Sequence, residues 1–183
     1  MTNIVILNNI MEIKYMIYSF SAERRKITCC FTGHRKIPAS EYETIKKRLE
    51  NEIIGLIEQG VRYFGAGGAL GFDTMAALAV LRLKKNFPHI RLILVLPCKD
   101  QAKSWREEDI KIYGQILSRA DKLVYTSENY EKGCMHKRNR HLADHSGVCL
   151  CYQTKTSGGA FYTVNYARQK GIQIINLALS EKS

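Results

Sequence analysis

Four glycines fall within seven positions in Gly65-Ala66-Gly67-Gly68-Ala69-Leu70-Gly71, and Asp73 follows two residues later. Glycine has no side chain to keep a ligand off the backbone. It also adopts positive φ without steric cost, so successive N–H groups can turn toward one point. A helix opening just behind such a turn adds partial positive charge. The chemistry this spacing offers is recognition of a phosphate or another anion, with Gly65, Gly67, Gly68, Ala69 and Gly71 lining the turn. Asp73 is expected either to stabilise the helix N-terminus or to contact a ribose hydroxyl. On the anion-binding reading, a methyl group at Gly68 costs ligand affinity more than stability.

The turn matches neither of two common glycine signatures. A dinucleotide fingerprint G-x-G-x-x-G counted from Gly65 needs glycine where Leu70 stands. About twenty residues on, the basic Arg91 occupies the place of the ribose-binding acid. No Gly-Lys-Ser/Thr occurs, so the turn is not a P-loop. Hydride transfer and nucleoside triphosphate hydrolysis are therefore not supported.

Three further groups belong to the same chemistry. Thr32-Gly33-His34-Arg35 follows the apolar run Ile27–Phe31. In open α/β sheets ligands bind beyond the carboxyl ends of strands, which places His34 and Arg35 well, and an arginine can grip a phosphate with a bidentate fork. Ser157-Gly158-Gly159 is a second glycine turn ahead of a helix. Arg138 and Asn139 lie in the helical stretch from Cys134 to about His145. Asn139 shares an inward stripe with Met135 and Leu142, and a buried amide there needs a partner, in the protein or in a ligand. His141 and His145 are four apart, but no clear third ligand accompanies them, so a solvated helix face is the better reading. No metal or cofactor is implied.

The elements that must hold these groups alternate. Strands are expected at 27–31, 61–64, 90–96, 123–125, 148–152 and 172–177. Helices are expected from about Pro38 to Gln59, Gly71 to Asn86, Trp105 to Ala120, Cys134 to His145, and Ala160 to Gly171. The stripe Ile45, Leu49, Ile53 and Ile57 has helical period. The helix after the first glycine turn is apolar nearly all round, as a helix buried on more than one side should be. Strand–helix alternation predicts an α/β fold, a Rossmann-like doubly wound and mainly parallel sheet with helices on both faces. Residues 27–183 read as one domain. Residues 1–26 read as an extension, either disordered or the product of an upstream start codon. They carry neither a basic leader region nor a long uncharged span, which excludes a signal peptide and a membrane helix.

The chain has 183 residues, with 28 Lys and Arg against 17 acids, a net charge of +11. Such a balance favours acidic partners, although it also serves solubility, and the charges are spread over several helices. No regular spacing of aromatics marks a base-stacking platform. None of the six cysteines forms Cys-x-x-Cys, and four lie in strand-like runs. Reduced core thiols and a cytoplasmic location follow.

Taken together, Thr32–Arg35, the two glycine turns and the Arg-Asn helix resemble the SLOG superfamily, named for the DprA/Smf and Lonely-guy proteins, and within it the small YpsA/YspA-like branch. The resemblance covers roughly residues 27–178. Gly67-Gly68-Ala69-Leu70-Gly71-Phe72-Asp73 matches a DprA-type Gly-Gly-Ala-x-Gly-x-Asp, and Arg138-Asn139-Arg140 matches Arg-Asn-Arg. Ser157-Gly158 with Thr163 approximates the third motif, at a different Thr spacing. The resemblance implies a Rossmann-like fold, a pocket at the strand carboxyl ends, a nucleotide-derived or ADP-ribose-like ligand, and a homodimer. A DprA-like role implies single-stranded DNA as the alternative partner. The Lonely-guy pattern Pro-Gly-Gly-x-Gly-Thr-x-x-Glu is broken, because Asn165 rather than a glutamate ends Ser157–Asn165. A phosphoribohydrolase-like activity would then have to draw on Asp73, and a non-catalytic binding module is the leading expectation.

Overall fold

The computed structural model describes residues 21–178. Residues 21–26 are helical (α1), and the Thr28 hydroxyl donates to the Arg24 carbonyl at their end, 2.7 Å away. The remainder of the expected extension, residues 1–20, lies outside the described residues. From there strands and helices alternate: β1 Thr28–Gly33, α2 Ala39–Glu58, β2 Tyr63–Ala66, α3 Phe72–Leu83, β3 Arg91–Leu96, α4 Glu107–Arg119, β4 Lys122–Tyr125, α5 Cys134–Asp144, β5 Val148–Tyr152, α6 Gly158–Gln169 and β6 Gln173–Asn176. Trp105 precedes α4 instead of starting it. Its ring packs edge-on against Tyr113, centroids 5.2 Å apart, which fixes it to the core edge.

All strand pairings are parallel, in the order β4-β3-β2-β1-β5-β6. The chain works outward from β1 to β4, crosses back, and adds β5 and β6 on the other side. β1 is thus flanked by β2 and β5, and strand order reverses between β1 and β5. In this architecture that reversal opens a crevice at the carboxyl edge.

The two faces of the sheet are read from its period of two. In β1, Cys29 and Phe31 pack with α2, α3 and α4, through Ile45, Leu49, Ile53, Phe72 and Ile116. Cys30, between them, packs with α5 and α6 through Leu142, Ala143, Val164 and Ala167. β5 alternates likewise: Val148, Leu150 and Tyr152 face the first layer, Cys149 and Cys151 the second. Strands covered on both sides read as continuous apolar runs, which is why no alternation shows in the sequence. All six cysteines are free thiols and buried. Among the described residues no helix is long and apolar enough to cross a membrane.

Candidate functional site

The β1–α2 loop, both glycine turns and the start of α5 meet at the carboxyl edge, but the two turns are in different states. The first is buried: Gly65, Gly67 and Gly68 are all enclosed. Several of its backbone groups are taken by the protein. Asp73, in the first turn of α3, accepts from Gly67 N–H at 3.0 Å and Ala69 N–H at 3.5 Å. Arg138 Nη1 donates to the Gly67 carbonyl, and its Nε donates to Asn139 Oδ1 at 2.7 Å. Arg138 also stands 3.9 Å from the Asp73 carboxylate. Burial pushes the Asp73 carboxyl above its usual range, against the pull of Arg138 and the two N–H donors. Burial lowers the Arg138 guanidinium, against Asp73. Asn139, expected to need a buried partner, finds it in Arg138.

The glycines here are required by close packing within the chain. A Cβ on Gly67 would lie 1.8 Å from Arg138 Nη1. One on Gly68, whose φ is +64°, would lie 2.7 Å from Leu96 Cδ2 and 3.0 Å from Gln101 Nε2. Gln101 in turn donates to the Gly68 carbonyl at 3.2 Å and to the Tyr113 hydroxyl at 2.8 Å. A Cβ on Gly71 would strike the Arg35 carbonyl oxygen at 2.4 Å, and Phe72 N–H donates to the His34 carbonyl at 3.1 Å. Gly33 is pressed on Phe72 in the same way. The space beside Gly68 that the sequence reading gives to a ligand is therefore filled by Leu96, Gln101 and Tyr113. Asp73, at 6% exposure, is committed to holding the turn. Arg138 reaches the turn from 71 residues away, and no spacing rule could reveal that it would bond Gly67.

The second turn is open. Residues 154–159 are all exposed. Ser157 is extended, at φ −151° and ψ 169°, and no side chain caps α6. A Cβ on Gly158 or Gly159 would meet nothing within 4 Å, and Gly158 has φ +88°. The first N–H groups of a twelve-residue helix thus point outward from the carboxyl end of β5 with no side-chain cap. Thr163 bonds the Gly159 carbonyl at 2.8 Å and steadies the first turn of the helix. Thr32, expected at the site, is instead buried at the end of β1, opposite Cys151. Arg35 is exposed and close enough to act electrostatically on both Asp73 and Arg138.

His34 joins the two loops across the strand reversal. Its Nε2 accepts from Thr154 N–H at 2.9 Å, with the Thr154 hydroxyl 3.1 Å away. A nitrogen that accepts carries no proton, so Nδ1 holds it. Burial, aided by Lys155, lowers the His34 pKa and favours that neutral form. On the α2 side of this bond an open cavity of about 1140 Å³ includes Glu41, Tyr152 and Lys155 in its wall. The sequence reading missed these. Lys155, between a strand end and a glycine turn, carried a usable signal, whereas Glu41 and Tyr152 meet only through the fold.

Aromatic groups are also gathered by the fold. His136 of α5 stands edge-on to Tyr162 of α6, centroids 4.2 Å apart, and Tyr162 lies parallel to Tyr166 at 6.4 Å. Lys170 Nζ sits 5.4 Å above Tyr166. Residues 132–170 contain seven Lys and Arg and a single acid, Asp144, so the α5–α6 layer concentrates a charge that looks dispersed along the chain. His141 and His145 stack at 4.2 Å, and no group of three metal-ligating side chains occurs among the described residues.

The sequence model of the YspA SLOG family matches residues 29–178. Over 129 residues the chain is 34% identical to a UPF0398 protein of Halalkalibacterium halodurans, covering 69% of this chain and 68% of that one. It is 30% identical over 139 residues to the uncharacterized SPbeta prophage-derived protein YoqJ of Bacillus subtilis, covering 67% and 81%. Among solved structures it is similar to DNA processing protein A of Helicobacter pylori, a single-stranded DNA binder, with TM-score 0.65 and 19% identity over 89% of this chain and 70% of that one. DNA processing protein A of Streptococcus pneumoniae gives TM-score 0.64 and 16% identity, covering 86% and 52%. At these identities the structural likeness concerns the fold.

Proposed function

The chain belongs to the YspA SLOG family, and on that premise we propose that it is a binding module for a nucleotide-derived ligand held at the carboxyl edge of the sheet. The observation that carries this reading is the contrast between a first glycine turn whose glycines are crowded by the protein and a second, exposed one beside the strand reversal, whose glycines have free space around them. A phosphate of the ligand meets the N–H groups at Gly158, Gly159 and Ala160, where the helix terminus favours negative charge. Arg35 supplies a charge-assisted contact from the neighbouring loop. The first turn, with Asp73, Arg138 and Asn139, acts as the rigid wall that fixes where Arg35 and His34 stand. The direct ligand contacts expected of those three residues pass to the second turn.

A thermal-shift panel of ADP-ribose, NAD, cyclic nucleotides and nucleoside monophosphates tests the reading. Binding to the native state alone at a hundredfold excess over Kd adds about 2.7 kcal/mol of stability. A panel with no shift in folded protein rejects it.

A second reading, single-stranded nucleic acid, is favoured by one observation: the His136–Tyr162–Tyr166 row set in the basic α5–α6 layer. Bases stack on such rings with little sequence preference, and lysines and arginines follow the backbone. Its signature is an affinity for single-stranded DNA that falls with salt and falls again in Tyr162→Ala.

A further inference from the structure

The cavity lies on the α2 side of the carboxyl edge and borders, through Gln153, Thr154 and Lys155, the loop that leads into the α6 turn. Its wall joins the N-terminus of α2 to the ends of β1, β5 and β6. Its chemistry is specific. Tyr152 is 1% exposed, packed against Phe72 with centroids 6.2 Å apart and edge-on to His34 at 5.5 Å, so its hydroxyl is held in one place. That hydroxyl donates to Glu41 Oε2 at 2.9 Å, across 111 residues of sequence. Burial pushes the Tyr152 phenol up to about 12, so it remains a donor throughout the ordinary pH range. Glu41 is half-buried and makes no ion pair among the described residues. A glutamate in the first turn of a helix serves the dipole without any such tether. Here one oxygen is pinned and the other, with the remaining lone pairs, is available at the cavity wall. Lys36 and Lys155 line the same cavity, and neither is in an ion pair among the described residues.

We infer that this cavity is a separate binding site for a phosphorylated ribose-type sugar, in which the Glu41 carboxylate accepts from two vicinal hydroxyls and Lys36 and Lys155 hold the phosphate. A carboxylate is the group that reads a ribose hydroxyl in nucleotide folds, because it accepts two hydrogen bonds at once. A site built to bond a hydroxyl discriminates strongly against the analogue that lacks it. The inference goes beyond the nucleotide-binding reading and does not depend on the α6 turn.

The test is calorimetric titration of the full chain with ribose 5-phosphate, 2-deoxyribose 5-phosphate, inorganic phosphate and adenosine monophosphate. Ribose 5-phosphate should bind at least about tenfold more tightly than its deoxy analogue, a factor that one well-placed hydroxyl supplies. Glu41→Gln keeps an acceptor for Tyr152 and preserves the melting temperature, but it should erase that preference. Lys36→Ala with Lys155→Ala should weaken both sugars equally. Gly159→Ala should leave ribose 5-phosphate binding unchanged, even where it abolishes nucleotide binding. Equal affinity for the two sugars, or an intact preference in folded Glu41→Gln, overturns the inference. So does loss of sugar binding in Gly159→Ala, which would put the sugar phosphate on the α6 turn. Tighter binding of adenosine monophosphate than of ribose 5-phosphate that also depends on Glu41 identifies the sugar as part of a nucleotide and supports the same carboxylate.

Discussion

The two glycine turns differ in what their backbone amides do. At the first turn Asp73 takes the Gly67 and Ala69 N–H groups, Arg138 and Gln101 take the Gly67 and Gly68 carbonyls, and a Cβ on Gly67, Gly68 or Gly71 would clash. At Ser157–Ala160 the helix is uncapped and the glycines face open space. Both follow a strand and precede a helix. The lesson is that a glycine-rich strand–helix turn signals a close approach to the backbone without saying what approaches. In the first turn the approaching group is the protein's own arginine.

The strongest way to break this contrast is Arg138→Ala. It leaves Asp73 buried and unpaired, and breaking such a pair costs about 3–5 kcal/mol. Urea unfolding should show that loss, whereas a surface role for Arg138 would leave the midpoint in place. Next comes Gly68→Ala. Its positive φ and its contacts with Leu96 and Gln101 predict a cost of roughly 1–3 kcal/mol in stability, with any change in ligand affinity following from the damaged fold. Gly159→Ala is the mirror case. The melting temperature should hold or rise slightly, since alanine suits a helix better, while nucleotide affinity falls about tenfold, or 1.4 kcal/mol. If Gly68→Ala leaves stability intact but removes binding, the two turns exchange roles.

The smallest effect sharpens the comparison at the bond between the loops. His34 has its pKa lowered by burial and by Lys155, from an ordinary value of 6.5. The unfolded chain then binds more protons than the folded one just below that value, so stability rises with pH across the window. The contribution is complete above 6.5 and is lost as pH falls toward the lowered folded value. His141 shifts in the same direction, so the His34 share must be isolated by difference. Urea midpoints measured from about pH 7.5 to 5 should fall less steeply in His34→Gln than in the parent protein. Parallel slopes would mean that the Thr154 bond carries no proton linkage.

How much of this was legible in the sequence differs between fold and site. The strands announced themselves because runs such as Val148–Tyr152 are buried on both faces, and the helix stripe Ile45, Leu49, Ile53, Ile57 lies wholly in the core. Ends shifted where local turns intervened: α3 stops at Leu83 rather than near Asn86, where two tight turns precede Pro88. Of the residues read as a site, Gly158 and Gly159 stand exposed and His34 and Arg35 reach the carboxyl edge. The sealing of the first turn, the Glu41–Tyr152 pair and the row of His136, Tyr162 and Tyr166 are long-range contacts. Periodicity reports which face of an element is buried, not which distant side chain will meet it.

The position of β1 between β2 and β5 sets the order in which the molecule can be built during synthesis. β1 to β4 and the α2–α4 layer form a contiguous half that is complete by Tyr125. The other neighbour of β1 arrives much later: His34 and its partner Thr154 are 120 residues apart. At about 5–20 residues per second, a ribosome needs roughly ten seconds to cover that interval. Through it the β5 side of β1 is a bare edge, and closing so long a loop is slow relative to local pairing. The carboxyl-edge crevice joins β1 to β5, so it is completed only after β5 has been synthesised, and nothing bound there can act as a template for the half that folds first.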